Sequence, residues 1–106
     1  FNKSGEMNKA FHTNIKKICF DYQVSLTDIK SSSRNTRIIE PRFFCWELYK
    51  NHSYHSFPKI GSIFNRDHST IIQGLKKIKI RYGDKVKKYE DFYHAEKEKY
   101  SEKANN

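Results

Sequence analysis

The sequence predicts an all-α protein, a compact helical bundle that contains a helix-turn-helix, with an additional amphipathic helix at its C-terminal end. Two observations support this fold class. Apolar residues recur three and four positions apart along most of the chain, and the alternation typical of β-strands is not found. Near Asn65 a short turn joins two such patterns, as in a helix-turn-helix. The 106 residues suffice for one domain with a modest core.

The N-terminal part of the chain predicts two helices. Residues 1–8 are polar and are expected to form a loose segment. Residues 9–22 predict an amphipathic helix, because their spacing places five apolar side chains on one face: Phe11, Ile15, Ile18, Cys19 and Tyr22. Ser25 is a suitable N-cap for a short second helix that ends near Ile29.

A third helix is expected after the polar loop at residues 31–36. Its pattern extends from about Thr36 to Asn51, but Pro41 lacks a backbone donor and is awkward inside a helix. Either the helix begins near Ile39 with the proline in its first turn, or it is kinked at the proline. We favour the first alternative. The inner face is expected to consist of Phe44, Cys45, Leu48 and Tyr49.

Two further helices flank the turn at Asn65. Ser56 is expected to cap the first, with Pro58 near its first turn, and Asp67 is expected to cap the second through its carboxylate. The first would direct three side chains inward: Ile60, Ile63 and Phe64. The second would extend to about Tyr82 and bury a stripe of four residues: Ile71, Leu75, Ile78 and Tyr82.

The C-terminal segment, residues 84–106, is predicted to form a unit of its own. Gly83 and Asp84 break the preceding helix, so the helix-turn-helix domain is expected to occupy residues 9–83. Residues 85–100 predict an amphipathic helix among alternating charges, with apolar positions at Val86, Tyr89, Tyr93 and Tyr100. The last few residues are expected to be disordered.

The charge of the chain favours an acidic partner. Lys and Arg number 21 against 12 acidic residues, which gives a formal net charge of +9. Residues 36–83 carry nine basic and three acidic residues, whereas residues 84–106 carry six of each, so the positive field lies on the middle segment. Such a distribution favours nucleic acid or an acidic membrane surface. No window approaches a membrane span, and we expect no membrane partner.

Catalysis has no support in the sequence. The glycines do not form a phosphate-binding loop, so no nucleotide cofactor is expected. His52 and His55 have no third ligand nearby, and no metal is expected. His68 and Ser69 are adjacent on a helix and cannot form a nucleophile–base pair. We therefore expect a protein that is not an enzyme and has no small-molecule substrate.

The two cysteines indicate a reducing compartment. Cys19 and Cys45 both lie in apolar helical patterns and lack metal-type spacing, so they are expected to be buried thiols. Together with the basic charge, this predicts a cytoplasmic, nucleoid-associated protein.

The residues that begin the second helix of the turn motif suit base recognition. Asp67 can accept a hydrogen bond from a cytosine amino group, His68 can bond an acceptor, and the Thr70 methyl suits a thymine methyl. The helix N-terminus also favours a phosphate. The alternative is a capped surface helix with a polar first turn. Four lysines are expected to contact phosphates: Lys50, Lys59, Lys76 and Lys77. The alternative is that these lysines form an ordinary solvated face without a ligand.

The same region carries a specific resemblance. The chain is similar to the DNA-binding C-terminal domain of DnaA, the bacterial chromosomal replication initiator, from about Ile15 to Ile78. The motif at the turn consists of Pro58-Lys59-Ile60-Gly61, Phe64 and Arg66-Asp67-His68-Ser69-Thr70-Ile71. Further similarity lies at Ser33-Arg34, at Pro41-Arg42 and at Ser56-Phe57-Pro58.

The resemblance implies a Trp-repressor-like helix-turn-helix that binds double-stranded DNA at DnaA boxes, one monomer per site. It implies major-groove base contacts by Asp67, His68, Ser69 and Thr70. Arg34 matches the arginine that enters the adjacent minor groove, where a narrow AT-rich groove attracts a cation. Contacts on or near the phosphate backbone are implied for Arg42, Lys50, Ser56, Pro58, Arg66 and Lys77.

The chain departs from the family pattern at the turn and in the third helix. The family commonly has two glycines after the Phe, where this chain has Asn65 alone. Asparagine tolerates the left-handed conformation, so we expect the turn to close with the second helix at a slightly different angle. Glu40 and a loop around Arg34 with few basic residues are expected to weaken phosphate binding. The bulky segment 43–46 is expected to repack the core.

These observations predict sequence-specific DNA binding at DnaA-box-like sites, in replication initiation or its regulation. If the chain is a fragment, an ATPase domain would lie upstream in the parent protein. A stand-alone transcriptional regulator, or a phage or plasmid regulator with the same fold, is one alternative, and the divergent motif favours it. Another is a protein-interaction module or weak self-association through the aromatic side chains of the C-terminal helix, Tyr89, Phe92, Tyr93 and Tyr100.

Overall fold

The computed structural model describes the backbone of residues 2–53 and 55–105 and the side chains of residues 9–53 and 55–99. Within those ranges the chain forms helices joined by short loops, and the predicted all-α class is confirmed. In chain order the helices are α1 (Asn2–Tyr22), α2 (Leu26–Lys30), α3 (Thr36–His52), α4 (Phe57–Phe64), α5 (His68–Arg81) and α6 (Gly83–Asn105). Because α3 contacts all the other helices, it forms the centre of the bundle.

Helix α1 is longer than its sequence pattern indicated. It begins at Asn2, so the segment expected to be loose is helical from that residue onward. The predicted apolar face is buried at Phe11, Ile15 and Ile18. The helix ends with Gln23 in the left-handed region, at φ 54°, and the Val24 amide donates to the Cys19 carbonyl at 3.0 Å. This is a Schellman-type C-terminus, and it turns the chain directly into α2.

Helix α2 begins as the sequence predicted. The Ser25 hydroxyl accepts a hydrogen bond from the Asp28 amide, and the Asp28 carboxylate accepts one from the Ser25 amide, both at 3.0 Å. This reciprocal pair is a capping box, which satisfies two of the free donors at a helix N-terminus. The predicted cap at Ser25 is therefore confirmed, and the helix places Ile29 in the core.

Helix α3 contains the proline that was expected to lie at its start. It begins at Thr36, where the Asn35 side chain accepts a hydrogen bond from the Arg37 amide at 3.0 Å. The favoured start near Ile39 is therefore wrong, because the Asn35 cap initiates the helix upstream of Pro41. Pro41 has no backbone N–H, so one carbonyl of the preceding turn lacks its usual helical hydrogen bond. The ring of Pro41 is fully buried and contributes apolar surface to the core.

The central position of α3 explains its composition. Phe44, Cys45 and Leu48 are buried, as predicted, and Tyr49 packs half-buried against the same core. Trp46 is also buried, on the side that meets α5. A Cβ atom on Gly74 would lie only 2.6 Å from Cζ3 of Trp46, so this glycine provides the space for the indole. The bulk of segment 43–46 is accommodated in this way.

Helices α4 and α5 form the predicted helix-turn-helix. The Ser56 hydroxyl accepts a hydrogen bond from the Lys59 amide and caps α4, and Pro58 lies in the first turn, as expected. Ile60 and Phe64 are buried, and Ile63 packs against the core. In α5, Ile71, Leu75 and Ile78 are buried and Tyr82 packs beside them, so the predicted stripe is confirmed.

Gly61 allows the two helices to approach each other. The amide of Arg66 donates to the Gly61 carbonyl at 2.7 Å, which closes the turn. A Cβ atom on residue 61 would lie 2.4 Å from the Arg66 carbonyl oxygen, which is closer than real contacts allow. Because the obstructing atom belongs to the backbone, a side chain at this position would displace the turn itself.

Helix α6 shares the core instead of extending away from it. Tyr89 and Tyr93 are buried, at 4% and 1% exposure, and α6 packs mainly on α1. The buried Asn14 side chain donates to the Tyr89 carbonyl at 2.9 Å, and the Tyr89 hydroxyl donates to Asp21 at 2.8 Å. The helix continues to Asn105, beyond its predicted end and into the residues expected to be disordered; Asn106 and the Tyr100 side chain lie outside the described residues.

The cysteines are free thiols. Cys45 is buried and Cys19 is half-buried. Burial raises the pKa of both thiols, and a nearby negative charge at Asp28 adds to the effect at Cys19. Both side chains therefore remain protonated at neutral pH and behave as small apolar groups.

Glu90 joins α6 to the C-terminal end of α3. Its carboxylate lies 2.7 Å from Nε2 of His52 and accepts a hydrogen bond from Nδ2 of the Asn51 side chain at 3.0 Å. The His52 ring stacks on Tyr93 with centroids 3.8 Å apart. Burial acts to raise the pKa of Glu90, but the hydrogen bonds from His52 and Asn51 bring it below its ordinary value of 4.5. The charged form of Glu90 is thus favoured by folding.

We expect Gly61→Ala to lower the free energy of unfolding by about 1–3 kcal/mol, the cost of overpacking a closed contact. Gly83→Ala is the matched control, since a Cβ there meets nothing within 4 Å and alanine favours helix. Urea denaturation followed by circular dichroism measures both variants. Equal stability of the two would show that the turn tolerates a side chain.

We expect Glu90→Gln to lower stability in a pH-dependent manner. The folded pKa of Glu90 lies below the unfolded value, so its contribution is complete above pH 4.5 and is lost as the pH falls through the folded pKa. The stability difference between wild type and Glu90→Gln should therefore shrink on acidification from pH 6 towards pH 3. A difference that stays constant over this range, measured by denaturation at each pH, would contradict the assignment.

Candidate nucleic-acid interface

The N-terminus of α5 presents four polar side chains to solvent. Asp67, His68, Ser69 and Thr70 are all exposed. Ile71, the next residue, is fully buried and anchors the helix to the core. The α5 backbone therefore has a fixed position, while its first turn projects outward with the positive end of the helix dipole. This arrangement suits an anionic ligand or the edge of a base.

Asp67 occupies the N-cap position, but not with the hydrogen bond that was expected. Its carboxylate makes no side-chain cap to a backbone amide, and it accepts a hydrogen bond from the Ser69 hydroxyl instead. The hydrogen bond from Ser69 is the main reason that the pKa of Asp67 lies below its ordinary value, and the neighbouring His68 contributes. The predicted carboxylate cap is therefore wrong. Asp67 remains ionised and can accept a further donor.

The shortened turn closes as the asparagine at position 65 predicted. Asn65 adopts the left-handed conformation, at φ 56° and ψ 43°, and its amide is directed at the Gly61 and Ser62 carbonyls. Asparagine is one of the few non-glycine residues that enter this region routinely. The single residue therefore ends α4 and allows Asp67 to begin α5 only two positions later.

The loop that carries Arg34 is organised by its own serines. We call residues 31–35, between α2 and α3, the Arg34 loop. The Ser31 hydroxyl donates to the Asp28 carbonyl at 2.6 Å. The Ser33 amide donates to the Ser31 hydroxyl at 3.3 Å, and the Asn35 amide donates to the Ser33 hydroxyl at 3.2 Å. Arg34 is exposed, and within the described residues its guanidinium forms no hydrogen bond or ion pair. It is therefore available to a ligand.

The structure brings Arg34 and Thr70 to one groove. This open groove has a volume of about 460 Å³ and lies between the Arg34 loop and the start of α5. Its wall is formed largely by apolar side chains of α3, namely Ile39, Phe43 and Trp46. Arg34, implied to contact the minor groove, and Thr70, implied to contact the major groove, thus border the same groove, although 36 positions of sequence separate them.

The two arginines predicted to contact phosphate have roles inside the protein. Arg42 is only 5% exposed, and its guanidinium donates to the Ile29 and Ser31 carbonyls, both at 2.8 Å. Burial, followed by the nearby charge of Arg66, lowers the pKa of Arg42. Arg66 is half-buried and donates to the same Ser31 carbonyl at 2.6 Å. The burial of Arg42 gives no support to its predicted phosphate contact, since these hydrogen bonds would have to break.

The other predicted backbone contacts lie on the surface. Lys50, Ser56, Pro58 and Lys59 are exposed around the start of α4, and the Lys50 ammonium lies 5.8 Å from the Phe57 ring. Lys77 is exposed on α5. Contacts of these residues with DNA stay predictions.

Two features of this surface were not foreseen from the sequence. The Ser31 carbonyl accepts from both arginines, and a backbone atom leaves no signal in a residue pattern. Glu40, which was expected to weaken phosphate binding, forms an ion pair with Lys85 of α6 at 2.8 Å. Its charge is therefore offset by a residue 45 positions away in the sequence.

A tight turn, a preceding helix that buries one face in the core and an exposed polar N-terminus on the following helix define a helix-turn-helix DNA-binding domain. The basic middle segment of the chain agrees with this class. Residues 13–78 match the family described as the bacterial DnaA protein helix-turn-helix, and the chain belongs to this family. The match ends within α5, so α6 lies outside it.

Curated relatives of the chain are replication initiators. Over 64 residues it is 39% identical to the chromosomal replication initiator protein DnaA of Oenococcus oeni, and the aligned part covers 59% of this chain and 14% of that protein. Over 67 residues it is 37% identical to the DnaA proteins of Ralstonia nicotianae and Ralstonia pickettii, which covers 61% of this chain and 13% of each of them. The chain thus matches a small part of the length of these relatives.

In the part of the chain that the structure describes, every helix is too short or too polar to cross a membrane.

We expect Asn65→Ala to destabilise the turn by about 1–2 kcal/mol, the usual cost of the left-handed conformation for a residue with a Cβ. Asn65→Gly is the matched control and should leave stability nearly unchanged, because glycine enters this region without strain. Thermal or urea unfolding of both variants measures the effect. Destabilisation of the glycine variant by as much as the alanine variant would mean that the asparagine side chain, and not its backbone conformation, stabilises the turn.

Proposed function

We propose that this chain binds double-stranded DNA in a sequence-specific manner at DnaA-box-like sites, one monomer per site, and that it serves replication initiation or its regulation. The observation that carries the proposal is the groove shared by Arg34 and Thr70 at the exposed N-terminus of α5. An α-helix fits the major groove of DNA, and a loop beside it can reach the neighbouring minor groove.

The proposed contacts fall into three groups. Asp67, His68, Ser69 and Thr70 specify bases in the major groove, where hydrogen-bond patterns distinguish all base pairs. Arg34 enters the adjacent minor groove, whose negative potential is greatest in AT-rich sequence. Contacts with the phosphate backbone come from the end of α3, the start of α4 and the exposed side of α5, through Lys50, Ser56, Pro58, Lys59 and Lys77. This activity is binding alone, and we propose no catalytic role for the chain.

The alternative of a docking surface on the C-terminal helix finds less support. Tyr89 and Tyr93 are buried against the core, so they offer no surface to a partner. Phe92 is half-buried, with the Lys17 ammonium 5.2 Å from its ring. A stand-alone regulator with the same fold would bind DNA through the same surface, and it differs from our proposal in the DNA sites that it recognises.

The direct test is selection of bound sequences from a random duplex pool with the full chain. We expect a DnaA-box-like consensus to emerge. Recovery of sequences without any common motif would refute specific binding, and a consensus of a different kind would favour a regulator with other sites.

We expect His68→Ala to weaken binding to the selected duplex by about 1–3 kcal/mol, because a base contact is lost. Binding to a random duplex should change little, since that binding depends on phosphates. Fluorescence anisotropy at fixed salt with both duplexes measures the difference. Equal losses on both would exclude base recognition by His68.

The matched control is Lys77→Ala on the exposed side of the same helix. We expect it to weaken binding to both duplexes alike and to reduce the slope of log Kd against log salt concentration by about 1, the value for one phosphate contact. A loss confined to the selected duplex would assign Lys77 to base recognition.

A further inference from the structure

Two arginines from different parts of the chain meet on one backbone oxygen of the Arg34 loop. Arg42 extends from α3 and Arg66 from the turn before α5, and their Nη2 atoms donate to the Ser31 carbonyl at 2.8 and 2.6 Å. A carbonyl has two lone pairs and can accept both donors. Because the guanidinium groups carry like charges, their convergence on a single acceptor has an electrostatic cost.

We propose that Arg66 is a positioning residue that fixes the Arg34 loop relative to α5, so that base contacts in the two DNA grooves are made in register. The proposal rests on the function proposed above. It assigns Arg66 a part in sequence specificity that acts through Arg34 and not through a phosphate.

The hydrogen bonds within the Arg34 loop cannot fix the position of the loop relative to α5. Its serine hydrogen bonds are local, since they join residues two or three positions apart, and they determine the shape of the loop but not its distance from α5. Arg42 ties the loop to α3. Among the described residues, the hydrogen bond from Arg66 is the one that links the loop to the turn from which Asp67 and α5 begin.

The geometry of Arg66 fits this role better than a phosphate contact. Its side chain is half-buried, and Nη1 is directed at the Asn65 carbonyl at 3.3 Å while Nη2 donates to Ser31. The planar guanidinium can bridge two backbone carbonyls at a fixed distance, which a flexible ammonium cannot do. A phosphate would have to compete with both carbonyls for the guanidinium.

The test is a double-mutant cycle with Arg66→Met and Arg34→Ala, in which methionine retains the apolar stem of the arginine but removes its donors. Binding of the full chain is measured on the selected duplex and on a random duplex. We expect Arg66→Met to weaken binding to the selected duplex about tenfold, which lies in the range for coupled residues. In the Arg34→Ala background the same change should cost less than about threefold. The salt dependence and binding to the random duplex should be unchanged.

Two further variants support the interpretation. Lys77→Ala serves as the control within the same cycle, since a phosphate contact on α5 should be additive with Arg34→Ala. Arg66→Lys gives a second cycle in the event that Arg66→Met does not fold. It retains the charge but not the planar fork, so we expect a smaller loss that again disappears without Arg34.

The outcomes are distinct. Additive losses for Arg66 and Arg34, or a uniform loss on both duplexes with a smaller salt slope, would overturn the positioning role and identify Arg66 as an ordinary phosphate contact. Those results would leave the proposed function intact, since the wild type would still prefer the selected duplex. A wild-type chain that binds all duplexes equally would overturn the proposed function and this inference together.

Discussion

The close approach of two backbone segments at Gly61 is the contact on which the proposed DNA-binding surface depends. The Arg66 carbonyl oxygen would lie only 2.4 Å from a Cβ on residue 61, and the Arg66 amide donates to the Gly61 carbonyl. Asn65, in the left-handed conformation, reverses the chain between them. These features set the angle between α4 and α5 before any side chain of α5 is considered. The exposed turn from Asp67 to Thr70 therefore acquires its direction from a glycine, an asparagine and a hydrogen bond.

A glycine also allows close approach at the contact between α3 and α5. Trp46 on α3 occupies the space that Gly74 leaves open on α5. A large indole facing a residue without a side chain allows the two helices to pack closely, and Ile71 and Leu75 of α5 are buried in the core. The packing of α6 on α1 completes the core through Tyr89 and Tyr93. The neutral C-terminal helix thus supports the fold, while the positive charge remains on the middle segment.

The arginines illustrate how burial changes the role of a residue. Arg34, Arg42 and Arg66 are chemically identical and lie within 32 positions of one another. Arg34 is exposed and has no hydrogen-bond partner among the described residues, whereas Arg42 is buried on two backbone carbonyls. Arg66 shares one of those carbonyls and links the loop to the turn. A charged group in the interior needs such partners, because desolvation would otherwise be very unfavourable.

The sequence by itself determined those features of the fold that arise from interactions between residues close together in the chain. The helical periods, the caps at Ser25 and Ser56, the left-handed turn at Asn65 and the polar start of α5 could all be predicted, because each arises from interactions a few positions apart. The start of α3, the hydrogen bond from the Ser69 hydroxyl to the Asp67 carboxylate, and the burial of Arg42 could not be predicted. The packing of α6 into the core and the groove between Arg34 and Thr70 likewise belong to the tertiary structure alone. They depend on contacts between residues far apart in the chain, and a pattern of residue types contains no information about which of these come together.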